Sequence, residues 1–233
     1  MSKIIGITGY ATENFFGASK THLTFLEQFG RVKIIMPDDD PEVINKEVDM
    51  IYLPGGLDVN PVLYGEAPKF STSNIDVFKN YFLTNKLPQY ISLNTPIFGV
   101  CLGFQSLAVA LGAKLTQNFL FHEQSTSRWQ EAHKVYNTLT KDAGGVKVSK
   151  KGSTLSFAVN SHHHQGLVYN NVNENIRPVL FAENNDAYLT GDSVIVEAFI
   201  AGEKNQISAV QWHPEEFYDE YSVSEIKRLI NLK

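Results

Sequence analysis

Residues 96–105 read Pro96-Ile97-Phe98-Gly99-Val100-Cys101-Leu102-Gly103-Phe104-Gln105. Proline opens a short apolar run, the run ends on a cysteine, and a helical pattern over residues 105–111 follows until Gly112 stops it. A buried strand that turns directly towards a helix is the unit from which parallel sheets are assembled. The same unit recurs upstream. Residues 3–9 are short, β-branched and end in Gly, and residues 18–29 set Leu23, Leu26 and Phe29 on one helical stripe beside Phe25. Residues 31–36 give a second strand, stopped by Pro37 and an acidic turn. Residues 49–53 give a third, closed by Pro54-Gly55-Gly56, and residues 74–85 a further helix.

Downstream the texture changes. Residues 132–137, 154–160, 194–200 and 206–211 favour strands, with few helices between them and Asn-rich turns at Asn170-Asn171 and Asn184-Asn185. Residues 220–229 close the chain as a helix with Val223, Ile226 and Leu229 on one face. The expected fold is therefore α/β: a three-layer sandwich, its central sheet mainly parallel with helices on both faces and an antiparallel extension in the second half. Residues 1–233 are expected to form a single domain, since no repeat, low-complexity run or linker interrupts them.

The composition narrows the class. Of 233 residues, 43% are hydrophobic and 19% charged, enough to bury a substantial core. The formal net charge of −5 lacks the basic face that nucleic-acid binding needs. No apolar stretch reaches the length that spans a bilayer, and residues 1–10 do not read as a signal peptide, so a cytoplasmic protein is expected. The lone cysteine excludes an intramolecular disulfide. No Gly-x-x-x-x-Gly-Lys-Ser/Thr loop occurs, so no nucleotide cofactor is expected.

Cys101 sits between Gly99 and Gly103, as the nucleophile does in a Gly-x-Ser-x-Gly elbow. A tight turn with strained backbone angles presents the nucleophile, the glycines avoid clashes, and the following helix offers N–H groups to an oxyanion. A lone cysteine more often fills a core as a small hydrophobe; its place between two glycines at a strand-to-helix turn favours the nucleophile. Such a thiol needs a base and a group that orients it. Val210-Gln211-Trp212-His213-Pro214-Glu215 supplies both: His213 follows a strand, Pro214 stiffens the turn, and Glu215 can point back at the imidazole.

These blocks resemble the class I glutamine amidotransferase superfamily, and within it the γ-glutamyl hydrolase branch, peptidase family C26. Residues 99–103 match its nucleophile elbow and His213-Pro214-Glu215 its His-Pro-Glu motif. Residues 54–66 match the branch's Pro-Gly-Gly-x-Asp-Val-x-Pro-x-x-Tyr-Gly-Glu, and residues 160–165 its Asn-Ser-x-His-His-Gln, all in the family's order. The resemblance implies that Cys101 attacks a γ-glutamyl carbonyl, that His213 carries the proton and that Glu215 orients it. It implies an oxyanion hole at Leu102 and Gly56, and substrate contacts at Gly55, Gln105, Asp58, His163, His164 and Gln165. A small-molecule γ-glutamyl substrate or glutamine is the implied partner, and no metal is implied.

His162, His163 and His164 invite a metal reading, but neighbours on an extended segment face opposite ways and cannot share one ion. His122 and His133 stand isolated in the sequence, and residues 118–150 carry no legible motif; they are expected to help define the leaving-group pocket. Leu102 departs from the branch: Arg is frequent there, whereas Leu is usual among amidotransferases that feed ammonia to a synthetase. Two further functions are therefore weighed: a glutaminase subunit delivering ammonia to a synthetase partner, and a non-hydrolytic sensor in which Cys101 is oxidised.

Overall fold

The structure, a computed structural model, describes residues 2–12, 15–72, 75–120, 122, 124, 127–142, 145–185 and 187–233. The chain opens with β1 (Ile4–Thr8), a small hairpin of β2 (Tyr10–Thr12) and β3 (Phe15–Gly17), and α1 (Lys20–Leu26). It continues through β4 (Arg31–Ile35), α2 (Pro41–Glu47) and β5 (Met50–Leu53) to α3 (Val77–Asn85) and α4 (Leu87–Ser92). Then come β6 (Ile97–Val100) and α5 (Leu102–Ala110), the turn that the sequence pointed to. The second half holds β7 (His133–Tyr136), β8 (Leu139–Asp142), β9 (Gly145–Val148), β10 (Ser156–Val159), β11 (Leu167–Val168), β12 (Ile176–Glu183), α6 (Ala187–Thr190), β13 (Val194–Ala201), β14 (Ile207–Val210) and α7 (Glu220–Leu229).

Side-chain oxygens set where the helices start. Ser19, Asp40, Asp76 and Asp219 accept backbone N–H groups at the N-termini of α1, α2, α3 and α7. The helix expected from residue 74 thus begins at Val77, behind its Asp76 cap; Asn74 lies outside the described residues. α5 begins three residues earlier than its periodicity indicated, directly on Cys101.

Among the described residues, ten strands form one sheet. Its path runs β10-β7-β12-β13-β14-β6-β5-β1-β4, with β11 paired to β13. β14, β6, β5, β1 and β4 are mutually parallel, while β13, β12, β7 and β10 extend the sheet antiparallel. The two faces separate by the two-residue period of a strand. Ile51 and Leu53 of β5 pack with Leu83, Leu87, Phe104 and Leu107 of α3, α4 and α5. Met50 and Tyr52 turn to the other face, with Phe25 and Leu26 of α1 and Ile226 and Leu229 of α7. Each such fully buried side chain contributes about 1.5–3 kcal/mol, and this double burial holds the sheet between two helical layers. No described helix is long and apolar enough to cross a membrane.

β12 has no counterpart in the sequence reading. Pro178 interrupts its pattern, and the pairing with β13 shifts register between Pro178 and Leu180 and again before Phe181. β7 pairs with this strand only at Phe181, so the proline sits where that side of the strand carries no ladder pairing.

Candidate active site

β6 delivers Cys101 to the C-terminal edge of the parallel strands, where α/β sites gather. Its backbone has φ 50° and ψ −104°, a conformation that costs a side-chain-bearing residue about 1–3 kcal/mol. The flanking glycines make this geometry accessible. A Cβ on Gly99 would stand 2.8 Å from the backbone of Gly103, and one on Gly103 would overlap the carbonyl oxygen of Leu53. The Cys101 N–H donates to the Val210 carbonyl at 2.9 Å, and its own carbonyl accepts from Gln105 at 3.0 Å. The thiol is free and 5% exposed.

β14 lies parallel to β6 with Val210 opposite Val100, so three further residues bring His213 alongside Cys101. Asn160 grips the histidine's backbone on both sides: its Oδ1 accepts from the His213 N–H at 2.9 Å and its Nδ2 donates to the His213 carbonyl at 3.2 Å. Trp212 is anchored through its indole N–H to Asp219 Oδ2 at 2.8 Å, the carboxylate that also caps α7. His213 Nδ1 lies 2.7 Å from Glu215 Oε1, and the Cys101 sulfur is its other side-chain partner. Burial alone would discharge the ring, yet the negative charges of Cys101 and Glu215 outweigh it and raise the His213 pKa to about 10. For Glu215 burial again opposes charge, but the bond and charge of His213 win and hold the carboxyl below its usual range.

Behind this pair stand two residues that the sequence gave no reason to select. The Tyr52 hydroxyl lies 3.5 Å from Glu215 Oε2, and His22 Nδ1 lies 3.2 Å from that hydroxyl and 3.6 Å from Glu215 Oε1. Burial lowers the His22 pKa to about 4, against the pull of Glu215. His22 is therefore neutral at pH 7 and leaves the charge on His213.

A cleft of about 500 Å³ opens above the sulfur, bordered by Gly55, Lys79, Cys101, Arg128, His162 and His213. Gly55 is required here: a Cβ would come within 2.7 Å of His213 Cε1. A Cβ on Gly56 would lie 2.7 Å from Leu102 Cδ2, so the two residues expected to form an oxyanion hole stand against one another. The Lys79 ammonium donates to the Gly55 carbonyl. Burial lowers its pKa, with Asp76 and Cys101 opposing.

The other residues singled out in the sequence lie outside that lining. Asp58 and His164 bond to each other at 2.8 Å, a pairing that raises the His164 pKa. Gln105, 4% exposed, donates to the Gln165 carbonyl at 2.9 Å and so ties α5 to the 160–165 segment. His163 is turned away into a buried group with His122 and Glu197, whereas His162 borders the cleft with its ring 6.3 Å from that of His213. His122 and Glu197 reach His163 from distant segments of the chain.

A mainly parallel sheet between two helical layers, with an antiparallel extension and a cysteine at the strand-to-helix turn, is the class I glutamine amidotransferase α/β fold. The Peptidase C26 family model matches residues 3–215, and the chain belongs to that family. It is 32% identical over 204 residues to the glutamine amidotransferase-like protein YvdE of Lactococcus lactis, covering 84% of this chain and 81% of that one. It is 27% identical over 237 residues to gamma-glutamyl-gamma-aminobutyrate hydrolase PuuD of Escherichia coli K12, covering 94% and 85%. A glutamine amidotransferase from Thermotoga maritima shares the fold with a TM-score of 0.53 at 15% identity, over 98% of this chain and 82% of that one.

Proposed function

We propose that this protein hydrolyses γ-glutamyl amide bonds, with Cys101 as nucleophile, His213 as acid and base, and Glu215 as the group that orients His213. The sulfur attacks the γ-carbonyl and the carbon–nitrogen bond breaks as His213 gives its proton to the leaving amine. The product is a γ-glutamyl thioester. Water then attacks the thioester and His213 takes up the proton that water loses. Glutamate leaves as the Cys101 sulfur is released as thiolate beside the protonated His213, which restores the starting pair. Backbone N–H groups of Leu102 and Gly56 receive the developing oxyanion. The observation that carries this reading is the strained Cys101 backbone placed beside a buried histidine held protonated near pKa 10.

The name of the E. coli relative supports a γ-glutamyl amine as the substrate class. Gly55, Lys79 and Arg128 border the space in which its glutamyl part would lie. Gln105, Asp58, His163, His164 and Gln165 would support that space from behind rather than touch the substrate. A reducing compartment such as the cytoplasm suits a reaction that needs a free thiol.

The test is glutamate release from glutamine and from a panel of γ-glutamyl amines and peptides, wild type beside Cys101→Ala. Hydrolysis of conjugates that vanishes in Cys101→Ala supports the proposal. Turnover of glutamine alone, rising when a synthetase-containing extract is added, replaces it with the ammonia-supplying subunit. Full activity in Cys101→Ala overturns the mechanism.

A further inference from the structure

Four side chains from four separate segments meet inside the antiparallel extension. Glu197 lies in the middle of β13 and is 0% exposed. His133 opens β7, His163 belongs to the 160–165 segment, and His122 comes from the stretch that carries no motif. His122 Nε2 lies 3.2 Å from His163 Nε2 and 3.4 Å from Glu197 Oε1. His163 Nε2 and His133 Nε2 stand 3.9 Å and 3.3 Å from the same oxygen.

This arrangement is costly as plain packing. Neither carboxylate oxygen of Glu197 lies in hydrogen-bond geometry with a partner among the described residues, although burying a carboxylate demands strong compensation. The Nδ1–H of His163 donates to the Gln165 carbonyl at 2.9 Å, so in the neutral ring Nε2 carries a lone pair. That lone pair points at another imidazole Nε2 and at a carboxylate. A backbone carbonyl on the far nitrogen is the arrangement that orients a metal-bound histidine. Nitrogen and oxygen donors around a tetrahedral ion, with bonds of about 2.0–2.2 Å, stand about 3.3–3.5 Å apart. The measured spacings bracket that value.

We propose that His122, His163 and Glu197 bind one divalent transition-metal ion, Zn²⁺ by donor set and spacing, with His133 orienting the Glu197 carboxylate. Of the three consecutive histidines only His163 is a ligand, in keeping with the alternation that forbids them to share an ion. A surface cavity bordered by His122, His133, Lys134 and Tyr136 gives the ion a path in. The ion would brace the 160–165 segment, whose Asn160 holds His213 and whose Gln165 carbonyl holds Gln105. The site does not depend on the reaction assigned to Cys101.

The experiment uses the full chain carrying Cys101→Ala, so that Zn²⁺ cannot bind the thiol. The protein is stripped with a chelator, loaded with Zn²⁺, desalted, and measured for retained metal and for Tm. One equivalent of Zn²⁺ retained, with a Tm rise of about 5 °C or more, is expected. Adding Glu197→Gln or His122→Asn should cut retention at least tenfold, while adding His164→Asn should leave it intact. Co²⁺ loading of the Cys101→Ala protein gives a readout that needs no variant at the cluster: intense visible bands of a four-coordinate ion are expected. Metal retained below stoichiometry, equal retention after Glu197→Gln, or no such bands would leave a proton-sharing histidine network and overturn the site.

Discussion

Nδ1 of His213 lies 2.7 Å from Oε1 of Glu215, and both side chains are almost wholly buried. Replacing the carboxylate by an amide keeps the shape but removes the charge and admits the wrong tautomer. Glu215→Gln should lower kcat by about 100- to 10,000-fold, less than the loss in Cys101→Ala. Steady-state kinetics on the best γ-glutamyl substrate checks it. Unchanged kcat would remove Glu215 from the mechanism.

The raised pKa of His213 has a stability consequence of defined sign. The folded value of about 10 exceeds the unfolded value of about 6.5. The contribution is therefore fully present below about pH 6.5 and is lost as pH rises through about 10. Cys101→Ala removes one of the charges that hold the proton. The Tm of the wild type should therefore fall more steeply than that of Cys101→Ala between pH 7 and pH 10. Parallel melting curves would contradict the pairing.

Gly103 has no room for a methyl group, because its Cβ would overlap the backbone of Leu53 in the neighbouring strand. Gly103→Ala should cost about 3 kcal/mol or more, seen as a Tm loss of about 10 °C. A Tm within a degree or two of wild type would show that the elbow tolerates a side chain there.

Asn160 spends both ends of its amide on the His213 backbone and also donates to the Arg128 carbonyl at 2.7 Å. Asn160→Ala should reduce kcat about tenfold to a hundredfold through misplacement of the imidazole, with KM little changed. A change confined to KM would mean that the residue serves the substrate instead.

Lys79 brings a cation to the cleft beside Cys101. Lys79→Met should raise KM for anionic γ-glutamyl substrates about tenfold and leave kcat within a few-fold. Equal KM values for the two proteins would assign the ammonium to holding the Gly55 carbonyl alone.

The parallel half was legible because its evidence is local. Pro96 to Gly103 carries strand, elbow and glycine spacing within eight residues, and His213-Pro214-Glu215 keeps its imidazole and carboxylate within one turn. β12 was not legible, since Pro178 breaks the two-residue period that marks a strand. Tyr52 lies in the strand run of residues 49–53 and His22 in the helical stretch of residues 18–29; only tertiary packing brings them to Glu215. The histidines behaved similarly. His163 and His164 looked like one block, but opposite facing sends one to Glu197 and the other to Asp58. No spacing rule links His122 to Glu197, because these two residues meet only in the folded protein.

β14 follows every other described strand in the chain, yet it lies inside the sheet between β6 and β13. A polypeptide emerging from the ribosome therefore presents Cys101 with the edge of β6 still open and without His213 beside it. On the proposed mechanism this topology times reactivity, because the sulfur gains His213 only when Val210 pairs with Val100. A chain stalled before that point carries an unarmed thiol and a bare strand edge, the kind of surface that chaperones and proteases recognise. If Cys101 is the nucleophile proposed above, completion of the sheet and its activation are a single event.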